Sequence, residues 1–177
     1  MTVVTKKAGQ APMVISEAAR ARHEKVELTL PTGKVVDVDV SIAELLEDLI
    51  KPSFVKSSRE CCAGAKWGDA DEIKDPVLGK AYWPRSYLDV IYNTDPESLD
   101  QATAFDKELR ALRVKTGDVT GRVAVLVGEE KDTRELIRRR GGEQDYNLIF
   151  DQEPTLEAVE KLWRAFHSVV KKHLPKE

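Results

Sequence analysis

The segments LDVIY at residues 88–92, VAVLV at 123–127 and YNLIF at 146–150 decide the fold class predicted for this chain of 177 residues. Each segment is short and largely apolar, which is typical of a strand that is covered on both faces of a sheet. A segment with helical periodicity follows each of them. This alternation favours a parallel sheet with right-handed crossovers. We therefore predict an α/β fold in which residues 88–177 form a mostly parallel, three-layer βαβαβα core.

The N-terminal part of the chain carries a different pattern. Apolar and polar residues alternate over 26–30 and again over 35–40, with a Pro- and Gly-containing turn between them. Such alternation predicts a β-hairpin with one apolar and one polar face. Ser41 and Glu44 have the spacing of a capping box, so we expect a helix to begin there and to stop near Pro52.

These patterns divide the chain into a loose tail, residues 1–14, and a single domain, residues 15–177. Within the domain, the hairpin and its helix (15–52) are separated from the predicted core by residues 53–87, which lack periodicity. A structureless connection of that length is uncommon in a compact domain. Its two tryptophans carry large apolar areas that favour burial, so we predict that the segment is ordered and contacts the core through Trp67 or Trp83.

Composition and charge narrow the classes of function. The chain has 28 basic and 31 acidic residues and a formal charge of −3, which gives no general attraction to nucleic acid. No apolar run approaches the ~20 residues that span a bilayer, and residues 1–14 lack the apolar centre of a secretory signal. The only two cysteines are adjacent, which favours a reducing compartment. We expect a cytoplasmic protein that binds neither nucleic acid nor a membrane.

The segment Tyr82-Trp83-Pro84-Arg85, with Tyr87 close behind, is a candidate interface with a protein partner. Trp, Tyr and Arg are the residue types most often found as interface anchors. The proline stiffens the segment and lowers the entropy lost on docking. The alternative is that Trp83 fills the end of the core and Arg85 pairs with a surface acid. We therefore name Trp83, Arg85 and Tyr87 as partner-binding candidates.

Carboxylates that follow the three predicted strands give an alternative, enzymatic hypothesis. Asp95 follows the first strand, Glu129 and Glu130 the second, and Asp151 the third. If the strands were parallel, these groups would converge at one sheet edge and could hold Mg²⁺ for phosphate or nucleotide chemistry. Helix capping explains most of this signal, because Asp95 and Asp151 stand where helix N-caps belong, but Glu129 and Glu130 are not needed as caps.

The adjacent thiols Cys61 and Cys62 give a second alternative, a metal or redox sensor. Two thiolates in neighbouring positions could chelate a soft metal or form a strained disulfide. No histidine or further cysteine lies nearby in sequence to complete a tetrahedral zinc site. Burial as two small apolar side chains is the competing interpretation.

No nucleotide-binding, hydrolase or zinc-protease motif occurs in the sequence. By elimination, the sequence favours a non-enzymatic binding or accessory protein that acts through a protein partner or a second copy of itself. That interpretation requires no cofactor, and Mg²⁺ enters only under the enzymatic alternative.

Overall fold

Every pair of neighbouring strands in the computed structural model is antiparallel. The structure describes residues 3–4, 13–14, 24–62, 70–126 and 132–177. The expectation of a mostly parallel sheet is therefore wrong, although the mixture of helices and strands that defines the α/β class is present.

The described ranges contain helices and strands with the following bounds. The strands are β1 (Val3–Val4), β2 (Met13–Val14), β3 (Lys25–Thr29), β4 (Val35–Asp39), β5 (Val55–Cys62), β6 (Asp71–Asp75), β7 (Gly79–Trp83), β8 (Tyr87–Tyr92), β9 (Arg113–Thr116), β10 (Val119–Ala124) and β11 (Glu143–Phe150). The helices are α1 (Ala43–Leu49), which follows a 3-10 turn at Val40–Ile42, α2 (Pro96–Ala111), α3 (Thr133–Arg139) and α4 (Leu156–Lys172).

Seven of the described strands form the main sheet, in the order β5-β8-β11-β10-β9, with β7 pairing β11 at one position and β6 pairing β7. β1 pairs with β2, and β3 pairs with β4 as the predicted hairpin. Strands β7 and β8 both run antiparallel to β11 on the same side of it, and the Pro84-Arg85-Ser86 segment joins them. Arg85 adopts a positive φ of 59° at this junction.

The direction of β11 explains why the parallel prediction fails. β8 and β10 run in the same direction, as a crossover connection would give, but β11 lies between them and runs opposite to both. The chain therefore enters β11 at the end of the sheet where β10 finishes, instead of crossing back to the end where β10 begins.

Residues 53–87 are more regular than the sequence indicates, because the described part of this segment contains β5, β6 and β7. Trp67 lies outside the described residues. Trp83 packs against Ala124 and Ile149, so the prediction that this segment reaches the core through Trp67 or Trp83 is confirmed for Trp83.

The sequence correctly predicts the start of α2 and the end of α3. Asp95 caps α2 by accepting a hydrogen bond from the backbone N–H of Ser98 at 3.0 Å. Gly141 and Gly142 both have positive φ after α3, as a helix C-terminus favours. The helix expected to begin at Ser41 begins at Ala43 instead, after the 3-10 turn Val40–Ile42.

The two faces of the main sheet are covered by different elements. Alternate residues of β8 and β11 point toward the four helices and join their apolar side chains in one core; these strand residues are Leu88, Val90, Tyr92, Tyr146, Leu148 and Phe150. On the opposite face, Ala124 and Ile149 are covered by Ala81 and Trp83 of β7. The C-terminal halves of β10 and β11 are thus buried on both faces, but a β-hairpin rather than a helix layer covers the second face.

A buried ion pair holds the β6–β7 hairpin against the sheet. Arg122 of β10 donates to Asp75 at the end of β6 through both Nε, at 2.9 Å, and Nη2. Both side chains are almost fully buried. Asp75 also accepts from the backbone N–H groups of Val77 and Leu78. Burial acts to raise the pKa of Asp75, but the hydrogen bonds from Arg122 and Leu78 outweigh it and hold that pKa below its ordinary value.

The structure describes four α-helices. None of them combines the length and the apolarity that crossing a bilayer requires.

Candidate functional site

An apolar pocket lies between the N-terminal hairpin and the edge of the main sheet. Its volume is about 240 Å³. The aliphatic part of its lining comes from the hairpin region and α1, namely Leu28, Leu30, Val36, Val38 and Leu46. The polar part of the lining is Asp37, Ser58, Cys61 and Tyr87.

Alternation along the hairpin builds one wall of this pocket. Successive side chains of a strand point to opposite faces, so Leu28 and its cross-strand partner Val36 share one face. That face turns toward α1, and Leu28 and Val36 pack against the main core while remaining half-buried. The hairpin thus covers the core incompletely and leaves apolar surface open to a ligand.

The edge of the main sheet builds the other wall. Ser58 of β5 donates to the carbonyl oxygen of Asp89 at 2.7 Å, which fixes its hydroxyl. Between Ser58 and Cys61 the pairing of β5 with β8 shifts register, so the edge strand bends there. Cys61 and Tyr87 are both half-buried. The side chain of Cys62 lies outside the described residues, although its backbone pairs with Tyr87.

A pair of like charges lies across the hairpin, and one member of the pair, Asp37, also lines the pocket. Glu27 and Asp37 are directly opposite each other in the β3–β4 register, and both are exposed. Lys25 pairs with Asp39 one step along the same face. Among the described residues no cation forms an ion pair with Glu27 or Asp37. Like charges directly opposite in a sheet are destabilising, so this pair favours a cation from elsewhere.

The structure separates the three residues predicted to bind a partner. Trp83 belongs to the core on the hairpin-covered face, and its Nε1 is buried with no hydrogen-bond partner in the described part of the chain. Arg85 is exposed and donates from Nε to Asp71 Oδ2 at 3.0 Å. Tyr87 alone of the three lines the apolar pocket. Cys61, which the sequence suggests as a metal- or redox-active thiol, lines the same pocket.

The structure also separates the carboxylates predicted to hold Mg²⁺. Asp95 follows β8, whose end pairs with the start of β11, whereas Asp151 follows the end of β11. The 8 residues of β11 place them about 25 Å apart along the sheet. Asp95 caps α2, and Asp151 accepts from the backbone N–H of Thr120 at 2.7 Å. Glu129 and Glu130 lie outside the described residues.

A different set of carboxylates converges on the sheet. Asp89 of β8 lies opposite Asp145 of β11, and Glu143 joins them so that one oxygen of each lies within 4.8 Å of the others. Arg140 neutralises part of this charge by donating to Asp145 Oδ2 at 3.0 Å. The sequence gives no signal for this set, because it depends on the antiparallel register of two strands more than fifty positions apart.

A buried polar network lies beneath α2. Asp106 is fully buried and accepts from Tyr146 Oη at 2.8 Å, Gln144 Nε2 at 2.9 Å and Arg110 Nε at 2.7 Å. Tyr146 Oη also lies 2.7 Å from Tyr92 Oη. Burial raises the pKa of both tyrosines well above its ordinary value, so both stay protonated at neutral pH. Because every member has a partner, the network fixes α2 on the sheet rather than offering a reactive group.

No protein-family model, no curated protein and no solved structure matches this chain. The fold and the site define an α/β protein built on an antiparallel sheet, with a pocket at its edge that aliphatic side chains line together with the exposed carboxylate of Asp37. Its function has to be argued from these residues.

Proposed function

We propose that this chain is a non-enzymatic binding protein that holds a segment of a partner protein in the pocket between its hairpin and its sheet edge. The observation that carries the proposal is a pocket of about 240 Å³ whose lining combines aliphatic side chains with the exposed carboxylate of Asp37. A partner segment that fits both features has an apolar side chain next to a lysine or arginine.

The size of the pocket supports a side chain as its occupant. Cavities that hold drug-sized ligands are usually ~300–1,000 Å³, and this pocket is smaller. Burying one large aliphatic or aromatic side chain contributes ~1.5–3 kcal/mol. One such anchor gives a weak, reversible complex, since association also has a cost in lost translational and rotational freedom.

The carboxylate of Asp37 at the pocket supports a basic neighbour for that side chain. An arginine can donate to carboxylates through two parallel N–H groups, which adds geometric selectivity. An exposed ion pair contributes only ~0–1 kcal/mol, so we expect it to select the partner more than to hold it. Tyr87 supplies a polar group on the opposite wall that can orient the docked segment.

Selection from a random peptide library tests the proposal before any partner has been identified. The purified full chain is used as bait, and the enriched sequences are expected to share an apolar residue beside Lys or Arg. A selected peptide then serves as the probe in fluorescence anisotropy. Leu28→Trp fills the pocket with a larger side chain and should weaken binding of the probe at least tenfold.

Val77→Trp is the matched control for this experiment. Val77 is 54% exposed at the tip of the β6–β7 hairpin and does not line the pocket, so the same bulky residue there should leave affinity unchanged. Failure of the library to enrich any motif would refute the proposal, as would equal binding by Leu28→Trp. A dimer in light scattering that Leu28→Trp dissociates would show that the occupant is a second copy instead.

A further inference from the structure

Helices α1 and α4 bring three potential metal ligands together. Glu44 and Asp48 are four residues apart on α1, so they lie on the same face of that helix. His167 of α4 faces them. One ligand atom from each of the three residues lies within 4.8 Å of the other two. The sequence separation of 119 residues between Asp48 and His167 hides this cluster from any local motif.

The cluster is partly enclosed and opens onto a second pocket. His167 Nε2 lies 2.8 Å from Asp48 Oδ2, and the two side chains are 15% and 12% exposed. Glu44 is exposed at the rim. A cavity of about 240 Å³ adjoins Glu44 and His167, and Ser41, Glu160, Trp163 and Arg164 complete much of its lining. This cavity leaves room for the water or ligand atoms that complete the coordination of an ion.

We propose that Glu44, Asp48 and His167 form a binding site for a divalent transition metal of the Zn²⁺ type. Two carboxylate oxygens and one imidazole nitrogen are a ligand set that such ions accept, with water in the remaining position. Zn–N and Zn–O bonds are ~2.0–2.2 Å, so two ligands of one ion lie roughly 3 Å apart. The contact between His167 and Asp48 already has that spacing, and only Glu44, at the exposed rim, has to move inward.

Binding exchanges a hydrogen bond for metal–ligand bonds. The ion takes the place of the hydrogen between His167 Nε2 and Asp48 Oδ2, so the imidazole that binds it is neutral, with its hydrogen on Nδ1 and the Nε2 lone pair on the metal.

Lys51 distinguishes a metal site from an ordinary ion pair. Its Nζ lies 2.7 Å from Asp48 Oδ1, the oxygen that does not face His167, and its side chain is 51% exposed. This ammonium repels an incoming cation but can turn toward water. A metal site predicts that Lys51→Met increases metal affinity, whereas a purely structural role for Asp48 and His167 predicts no change.

A second histidine on the C-terminal side of α4 provides the matched control. His173 Nε2 lies 2.9 Å from Glu108 Oε1, which reproduces the histidine–carboxylate pair. Within the described ranges His173 belongs to no group of three converging ligands. Phe54 and Phe105 instead pack their rings on its imidazole.

The test is a calorimetric titration of the tag-free full chain with Zn²⁺. A parallel titration uses Mg²⁺, an ion that imidazole binds poorly. We expect one Zn²⁺ per chain, a raised melting temperature, and little effect of Mg²⁺. Glu44→Gln should weaken binding by about tenfold or more, and so should Asp48→Asn. His173→Asn should leave the affinity unchanged. Glu44 is exposed, so its variant folds even where replacement of Asp48 does not.

Three outcomes would overturn the metal site. They are the absence of saturable Zn²⁺ binding at micromolar concentration, binding that Glu44→Gln leaves intact, and binding that disappears in a variant with Cys61→Ser and Cys62→Ser. The last result would assign the ion to the adjacent thiols.

Discussion

Replacement of Trp83 separates a structural role for this residue from a role as an interface anchor. Its indole packs on Ala124 and Ile149, and its Nε1 is buried with no hydrogen-bond partner in the described chain. Trp→Ala at a packed site costs ~3–5 kcal/mol. Because this indole is only half-buried, we expect Trp83→Ala to lower the free energy of unfolding by about 2 kcal/mol.

Trp83→Phe is the informative companion of that variant. Phenylalanine keeps most of the ring contact and removes the buried N–H, whose lack of a partner costs ~1–3 kcal/mol. The lost area and the removed donor offset each other, so Trp83→Phe should change the free energy of unfolding by less than about 1 kcal/mol.

Urea and thermal unfolding followed by circular dichroism measure both variants on the isolated protein. The melting temperature of Trp83→Ala should fall by roughly 4–8 °C for a chain of this length, with Trp83→Phe close to wild type. The reasoning is refuted if Trp83→Ala is as stable as wild type, because the indole would then be an unburied surface group. Equal damage from both variants would refute the role given to Nε1.

Two further predictions concern the sheet. Arg122→Met leaves Asp75 buried without its ion-pair partner and should lower the free energy of unfolding by ~3–5 kcal/mol in thermal melts. The pKa of Asp75 is lowered in the fold, so its stabilising contribution is present above pH ~4 and lost as pH falls through the folded pKa; the gap between wild type and Arg122→Met should shrink in acid. Gly142→Ala places a Cβ 2.1 Å from the carbonyl oxygen of Tyr92 at a φ of +92°, and should cost clearly more than Gly79→Ala, where φ is +76° and the space is open. Equal melting temperatures for the two alanine variants would contradict the close approach, since left-handed backbone alone costs ~1–2 kcal/mol.

Features set by neighbouring residues could be predicted from the sequence. Asp95 and Pro96 start a helix, paired glycines end one, and the alternation around Gly33 gives the hairpin. Each of these depends on a few consecutive residues and on the hydrogen bonds they satisfy locally.

Strand direction could not be predicted, because burial on both faces has more than one cause. Ile149 and Ala124 are buried under β7, and a helix layer would leave the same apolar pattern in the sequence. β6 reads Asp-Glu-Ile-Lys-Asp, and a strand with a single apolar residue resembles a loop.

The sequence predicts only some residues of the candidate site. Tyr87 and Cys61 were each singled out, but nothing in the sequence joins them to Leu28 and Leu46 in one pocket. The partner-binding role of Trp83, Arg85 and Tyr87 stays a prediction, and so do the cytoplasmic location and the lack of nucleic-acid binding. Sites of this kind are assembled by tertiary packing of distant segments, which local spacing does not encode.

The most direct test of the proposed binding function is the affinity of a selected peptide for Asp37→Lys relative to wild type, measured by fluorescence anisotropy. The substitution turns a repulsive cross-strand pair with Glu27 into an attractive one, so the folded protein should be as stable as wild type or slightly more stable. Affinity for an apolar–basic peptide should nevertheless fall by about tenfold, because Asp37 lines the pocket and attraction to the peptide's cation is replaced by repulsion. Unchanged affinity in a stably folded Asp37→Lys variant would contradict the account.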